Sequence, residues 1–100
     1  MKSLTNFMEE ITGSCEKRFY VYLLRCADDT LYAGWTTDPI NRLNTHNEGK
    51  GAKYTRSRRP VALAYLEQCQ SKQEACRREA YIKRMPRVRK LALIEAWEKV

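Results

Sequence analysis

Five side chains in this sequence are of the types that hydrolyse phosphodiester bonds: Tyr22, Tyr32, Arg42, His46 and Glu79. A guanidinium offsets negative charge that builds up on a phosphoryl oxygen. A carboxylate supplies one or two ligands to a hard cation that draws the rest from water and phosphate. An imidazole moves protons near neutral pH. A tyrosine hydroxyl orients water and, once ionised, accepts its proton. With an ordinary pKa of about 10, it needs a cation, an arginine or another neighbour to ionise at pH 7.

The elements that must position these groups follow from local pattern. Phe19 to Cys26 is rich in aromatic and branched residues and predicts a strand. Asp28-Asp29 marks a turn, and Leu31 to Thr36 predicts a second strand, closing a hairpin. Side chains alternate along a strand, so Tyr20 and Tyr22 share one face of the first, and Tyr32, Gly34 and Thr36 share one face of the second. An even loop would pair Tyr22 with Trp35 and put Tyr32 on the other face. A three-residue loop would pair Leu24 with Tyr32 and bring Tyr22 and Tyr32 together. Gly34 inside a strand marks a place where a ligand or another backbone approaches closely.

Asp38-Pro39 is a helix start, with a capping side chain followed by proline at the first helical position. That helix runs to about Asn47 and stops near Gly49. Arg42 and His46 are four apart and lie on one of its faces, beside a stripe of Ile40, Leu43 and Asn47. Residues 48–60 predict a loop. Within it Lys50, Lys53, Tyr54 and Arg56 combine charge with an aromatic ring, which suits phosphate contacts and base stacking. Val61 to Cys69 predicts a third strand. Ser71-Lys72-Gln73-Glu74 is a capping box that opens a helix ending near Arg84. Pro86 begins another that reaches about Glu98. Glu79 falls on an expected buried stripe of Ala75, Cys76, Glu79 and Ile82, with Arg77 and Arg78 off it. An inward carboxylate is costly unless paired or bound to a cation. Arg84, Arg87, Arg89 and Lys90 form a second basic region, most simply a solvated helix face.

The order is β-β-α-β-α-α, an α/β domain with a small, mainly antiparallel three-stranded sheet flanked by helices. Residues 18–98 form this domain. Residues 1–17 are an extension, either a short amphipathic helix through Leu4, Phe7, Met8 and Ile11 or disordered. The chain has 100 residues, enough for one small core. Nineteen Lys and Arg against twelve Asp and Glu give a formal charge of +7, which favours polyanionic partners. No apolar run is long enough for a membrane span, and Glu9 and Glu10 interrupt any signal-like stretch. The four cysteines, at 15, 26, 69 and 76, form no Cys-x-x-Cys, which argues against zinc. Cys26 and Cys69 end apolar runs and read as small buried hydrophobes. A reducing cytoplasm and free thiols are expected.

Each signal alone also fits a structural role; their order and spacing are what is specific. Tyr20-Val21-Tyr22, Tyr32-Ala33-Gly34, Arg42, His46 and Glu79 together resemble the GIY-YIG endonuclease family, and more narrowly its small stand-alone bacterial members, over roughly residues 18–97. In that family the first motif ends in a tyrosine and the second begins with one. An arginine follows on the next helix, and a glutamate on a later helix binds the metal. Tyr22, Tyr32, Arg42 and Glu79 fall on those positions, and His46 matches a recurrent helix histidine. Tyr20 and Val21 stand in place of Gly-Ile, and Ala33 in place of the second isoleucine. The asparagine that homing members carry near the C-terminus has no counterpart here.

The resemblance implies Mg²⁺-dependent hydrolysis of DNA, with one ion on Glu79, Arg42 on the scissile phosphate, Tyr22 as general base, and Tyr32 and His46 positioning water or phosphate. It implies single-stranded or branched DNA as substrate in repair or recombination, with RNA not excluded. The competing expectations are a catalytically inactive nucleic-acid-binding module and a protein-interaction module.

Overall fold

Tyr20 to Leu24 are five consecutive buried residues, and a strand that is apolar on both faces belongs in the middle of a sheet. The computed structural model, which describes residues 18–99, places it there. The strands are β1 (Phe19–Arg25), β2 (Leu31–Thr36) and β3 (Ala62–Cys69). They form one antiparallel sheet in the order β2-β1-β3. The helices are α1 (Pro39–Asn47), the single turn α2 (Lys53–Arg56), α3 (Lys72–Arg84) and α4 (Arg87–Glu98). The α/β architecture is as the sequence predicts, except that the expected 48–60 loop contains α2. The amphipathic segment expected within residues 1–17 lies outside the described residues.

The hairpin settles the open question of register. Leu24 pairs with Tyr32 and Tyr22 with Gly34, so Tyr22 and Tyr32 share a face. The turn achieves this through Asp29, whose φ of 67° is left-handed, a conformation aspartate tolerates better than most residues. Asp29 N donates to Cys26 O, and Cys26 N donates to Thr30 O, both at 2.9 Å. Three residues therefore lie outside the ladder, the loop length that places the two tyrosines together. Asp28 accepts from the backbone and hydroxyl of Thr30 at 3.1 and 2.6 Å and braces the turn.

Opposite β1, the register shifts between Leu23, paired with Tyr65, and Leu24, paired with Leu63. The shift makes Ala64 an extra residue, a β-bulge. Without it the alternation along β3 would put Leu63 and Leu66 on opposite faces; with it both join the Tyr20, Tyr22 and Leu24 cluster. The other face carries Val21, Leu23, Ala33 and Cys69, covered by Ala75 and Ile82 of α3 and Ile94 of α4. Cys26 and Cys69 are buried, as their apolar context predicts.

Both anticipated helix starts form. Asp38 accepts from Asn41 N at 3.2 Å with Pro39 in the first turn. Ser71 Oγ accepts from Glu74 N at 3.1 Å, while Glu74 reaches back to Gln70 N at 2.9 Å. Such caps each contribute about 1 kcal/mol. The inward stripe of α3 differs from the expected one. Cys76 is exposed, whereas Arg78 turns in to pair with Glu67 at 2.9 Å, with Tyr65 donating to the same carboxylate. With Ala75 and Ile82 buried, the helical spacing of 75, 78 and 82 carries Arg78 towards the sheet and turns Cys76 away.

Candidate active site

The site is built around the phenol of Tyr22, which is only 3% exposed. Its ring lies across β2 over Gly34. A Cβ at position 34 would stand 2.5 Å from Tyr22 Cζ and closer still to Oη. The strand glycine thus makes room for a side chain of the neighbouring strand, rather than for a ligand or a backbone. From there Tyr22 Oη meets His46 Nε2 at 3.1 Å.

His46 projects from α1 and is completely buried. The helix reaches it because Asp38-Pro39 starts α1 soon after β2 ends. Past the helix end, Gly49 adopts a φ of 81° and its N–H bonds to His46 O at 3.1 Å, so the chain reverses. Gly51 then passes directly over the imidazole; a Cβ there would stand 2.8 Å from Cε1 and Cγ and nearer still to Nδ1. Asn47 ties the far end of this segment back to α1, donating to Val61 O at 2.9 Å and accepting from Val61 N at 2.7 Å.

The second nitrogen of His46, Nδ1, lies 2.8 Å from Thr55 Oγ1. Thr55 is itself completely buried, and its hydroxyl donates to Ala52 O at 3.0 Å. The Tyr32 ring stands edge-on to His46, with centroids 5.5 Å apart. Tyr54 stacks on Tyr32 at 5.8 Å, and the Arg58 guanidinium covers the Tyr54 ring at 3.8 Å. Arg58 also donates to Asp28 at 3.0 Å and to Tyr54 O at 2.8 Å, which pins α2 to the hairpin tip.

Charges converge on the same phenol. Burial raises the Tyr22 pKa above its ordinary value; Arg42 opposes the rise through a hydrogen bond and its positive charge, and Tyr32 and Glu79 add to it. Burial, followed by the Arg42 charge, lowers the His46 pKa. Both groups are therefore neutral at pH 7. The Glu79 charge is felt at this phenol although α3 packs on the opposite sheet face. The Glu79 side chain is 22% exposed, and Lys83 Nζ lies 3.4 Å from its carboxylate.

Of the five expected catalytic residues, Tyr22, Tyr32, Arg42 and His46 adjoin one another, and Glu79 acts on the Tyr22 phenol through its charge. Lys50, Lys53, Tyr54 and Arg56 lie on the adjoining segment; the three charged ones are exposed, and Tyr54 is 38% exposed. Lys53, Tyr54, Arg56, Ser57 and Arg58 line an open depression of about 570 Å³. Thr55, Gly51 and Arg58 were not singled out by sequence reasoning. Their roles depend on contacts made after the 48–60 segment folds back, and no periodicity marks them.

Residues 18–91 match the GIY-YIG catalytic domain. The chain belongs to the GIY-YIG family. A UPF0213 protein of Streptococcus agalactiae serotype V is 59% identical over 76 residues, covering 76% of this chain and 86% of the relative. One from Staphylococcus haemolyticus is 54% identical over 78 residues, covering 78% and 95%. The solution NMR structure of the UPF0213 protein BH0048 from Bacillus halodurans superposes with a TM-score of 0.52 at 43% identity, covering 79% of this chain and 84% of that one. That of EF2693 from E. faecalis gives 0.57 at 37% identity, covering 85% and 91%. The domain therefore makes up most of each of these small bacterial relatives. GIY-YIG domains are nuclease-type, so the reaction class is phosphodiester hydrolysis and the substrate class nucleic acid. Among the described residues, no helix is long and apolar enough to cross a membrane.

Proposed function

We propose that this GIY-YIG protein is a Mg²⁺-dependent DNA endonuclease, selective for single-stranded or branched DNA and serving repair or recombination in the cytoplasm. The observation that carries the catalytic reading is the buried Tyr22 hydroxyl, held against His46 Nε2 with the Arg42 guanidinium beside it. A phenol packed only for its bulk needs neither a strand glycine to clear its path nor an arginine at its tip.

A water beside Tyr22 gives its proton to the phenol oxygen as the phenol proton passes to His46 Nε2. The oxygen of that water forms the new bond to phosphorus while the bond to the leaving oxygen breaks. Direct storage of a tyrosinate is disfavoured because burial raises the Tyr22 pKa. Handing the proton to the imidazole avoids that species. Arg42 stabilises the negative charge gathering on the phosphoryl oxygens. Tyr32, edge-on to His46, limits the directions from which water and phosphate enter.

The donors present suit a hard divalent cation. Glu79 supplies one mostly buried carboxylate whose ion-pair partner is a half-exposed lysine. Among the described residues no group of three or more His, Cys, Asp and Glu stands ready to hold a metal, so other ligands come from water and phosphate, the usual pattern for Mg²⁺. When bound, the cation polarises the phosphate and stabilises the leaving oxygen. The preference for single-stranded or branched DNA rests on the exposed cations of the 50–56 segment and the part-exposed Tyr54 ring among them, which suit phosphate contacts and base stacking.

The test is cleavage of single-stranded, flapped, branched and duplex DNA, with RNA controls, by wild type and Glu79→Gln. Cleavage should require Mg²⁺, vanish in chelator and vanish in the variant. The variant should fold with a loss under about 1 kcal/mol, because its ion pair is partly exposed. Cleavage without metal, or undiminished cleavage by Glu79→Gln, rejects the assignment.

A further inference from the structure

His46 can accept the Tyr22 proton only if Nε2 carries a lone pair, and the structure shows what decides this. We infer that Thr55 is a positioning residue that holds His46 in its Nδ1–H tautomer, leaving Nε2 as the acceptor for Tyr22.

The argument is a count of protons along a buried chain. A threonine hydroxyl has one proton to donate and two lone pairs. That proton is directed at Ala52 O, at 3.0 Å, a carbonyl that can only accept. The Thr55 oxygen therefore faces His46 Nδ1, 2.8 Å away, as an acceptor, and Nδ1 must carry the hydrogen. A neutral imidazole has one N–H, so Nε2 is bare. Tyr22 Oη, 3.1 Å from Nε2, is left as the donor. Every hydrogen bond then runs one way: Tyr22 to His46, His46 to Thr55, Thr55 to Ala52.

The opposite tautomer is penalised. With a proton on Nε2, Nδ1 would be a bare acceptor facing an oxygen whose only hydrogen is committed elsewhere. Turning the hydroxyl to serve Nδ1 would leave Ala52 O with only its 3.2 Å bond from Arg56 N, and Tyr22 Oη, which already accepts from Arg42, would have no acceptor for its own proton. His46 and Thr55 are both fully buried, so water cannot substitute. Gly51, which has no Cβ to strike the imidazole, lets the 52–55 turn close down on Nδ1. The 51–55 segment thus has a second task beside presenting cations: it closes the polar chain behind the proton acceptor. This rests on the proposed nuclease reading only for its catalytic consequence; the tautomer is a property of the folded chain.

The chain contains a single histidine, so its side-chain nitrogens can be read without ambiguity. Long-range ¹H–¹⁵N spectra of the wild-type protein at pH 7.5 should show a protonated Nδ1 and an unprotonated Nε2. Thr55→Val keeps the shape and removes the acceptor, so the spectrum should shift to Nε2–H. Thr55→Ser should restore Nδ1–H. Turnover should fall about 100-fold in Thr55→Val at nearly constant KM, within the range of about 10²–10⁴ for loss of acid–base catalysis, and recover in Thr55→Ser. Should Thr55→Val not fold, Thr55→Ala makes the same chemical change without a new branch. An Nε2–H wild type overturns the inference, as does a folded Thr55→Val that keeps Nδ1–H or keeps full turnover. A wild type that cleaves nothing yet shows Nδ1–H refutes the nuclease reading while supporting the tautomer assignment.

Discussion

Replacing Gly34 with alanine should disable the protein out of proportion to its effect on stability. Gly34 has ordinary strand backbone, so the new methyl group meets no conformational penalty. Its difficulty is the Tyr22 ring, with Cζ 2.5 Å from the position Cβ would take. To restore ordinary contact the ring must retreat by about 1 Å. Tyr22 is held on the other side by His46, which is enclosed in turn by Gly51 and Thr55, so the strain cannot relax into solvent. Overpacking of this kind costs about 1–3 kcal/mol. Reduced freedom of the unfolded chain returns about 0.4–1 kcal/mol. The expected net loss is about 1–2 kcal/mol, measurable by urea denaturation. A 1 Å displacement of a reacting group costs about 100-fold in rate, so single-turnover cleavage should fall by that order while most of the protein remains folded. A double-mutant cycle isolates the cause. In a Tyr22→Ala background the clash is absent, and Gly34→Ala should be neutral or slightly stabilising, giving a coupling of about 1–3 kcal/mol. Equal effects of Gly34→Ala in both backgrounds, or wild-type turnover in the single variant, would refute the account of why this glycine stands in the strand.

Two further outcomes are expected. Burial and Arg42 hold His46 below its ordinary pKa, so protonation favours the unfolded chain, where the value returns to about 6.5. The stability this provides is complete above that pH and is lost as pH falls from about 6.5 towards the folded value; urea midpoints at pH 7.5 and 5.0 should differ more for wild type than for His46→Gln, and equal shifts would reject the assignment. Lys50→Ala/Lys53→Ala, made in the Glu79→Gln background, should flatten the salt dependence of DNA binding by about one contact per lysine; an unchanged slope removes this segment from the binding surface.

Local chemistry determined a large share of this protein from sequence. The unbroken apolar run Tyr20–Leu24 dictates a central strand because both of its faces need cover. Asp38-Pro39 and Ser71–Glu74 set helix starts because a capping side chain acts within three residues. The spacing of Tyr22, Tyr32, Arg42, His46 and Glu79 carried the family resemblance, which the match over residues 18–91 bears out. Tertiary structure decided what depended on closure. The left-handed Asp29 selected one hairpin register from the two that alternation allows, and so put Tyr22 and Tyr32 on one face. The bulge at Ala64 and the inward turn of Arg78 in place of Cys76 answered to partners on other strands. Thr55 becomes the partner of His46 only once Gly49 and Gly51 have folded the basic segment back over the imidazole. A cap or an apolar run is decided by neighbours in the chain, which a sequence displays in order. A buried hydrogen-bond chain is decided by which groups remain unpaired when water is excluded, and that is known only when the last segment has closed.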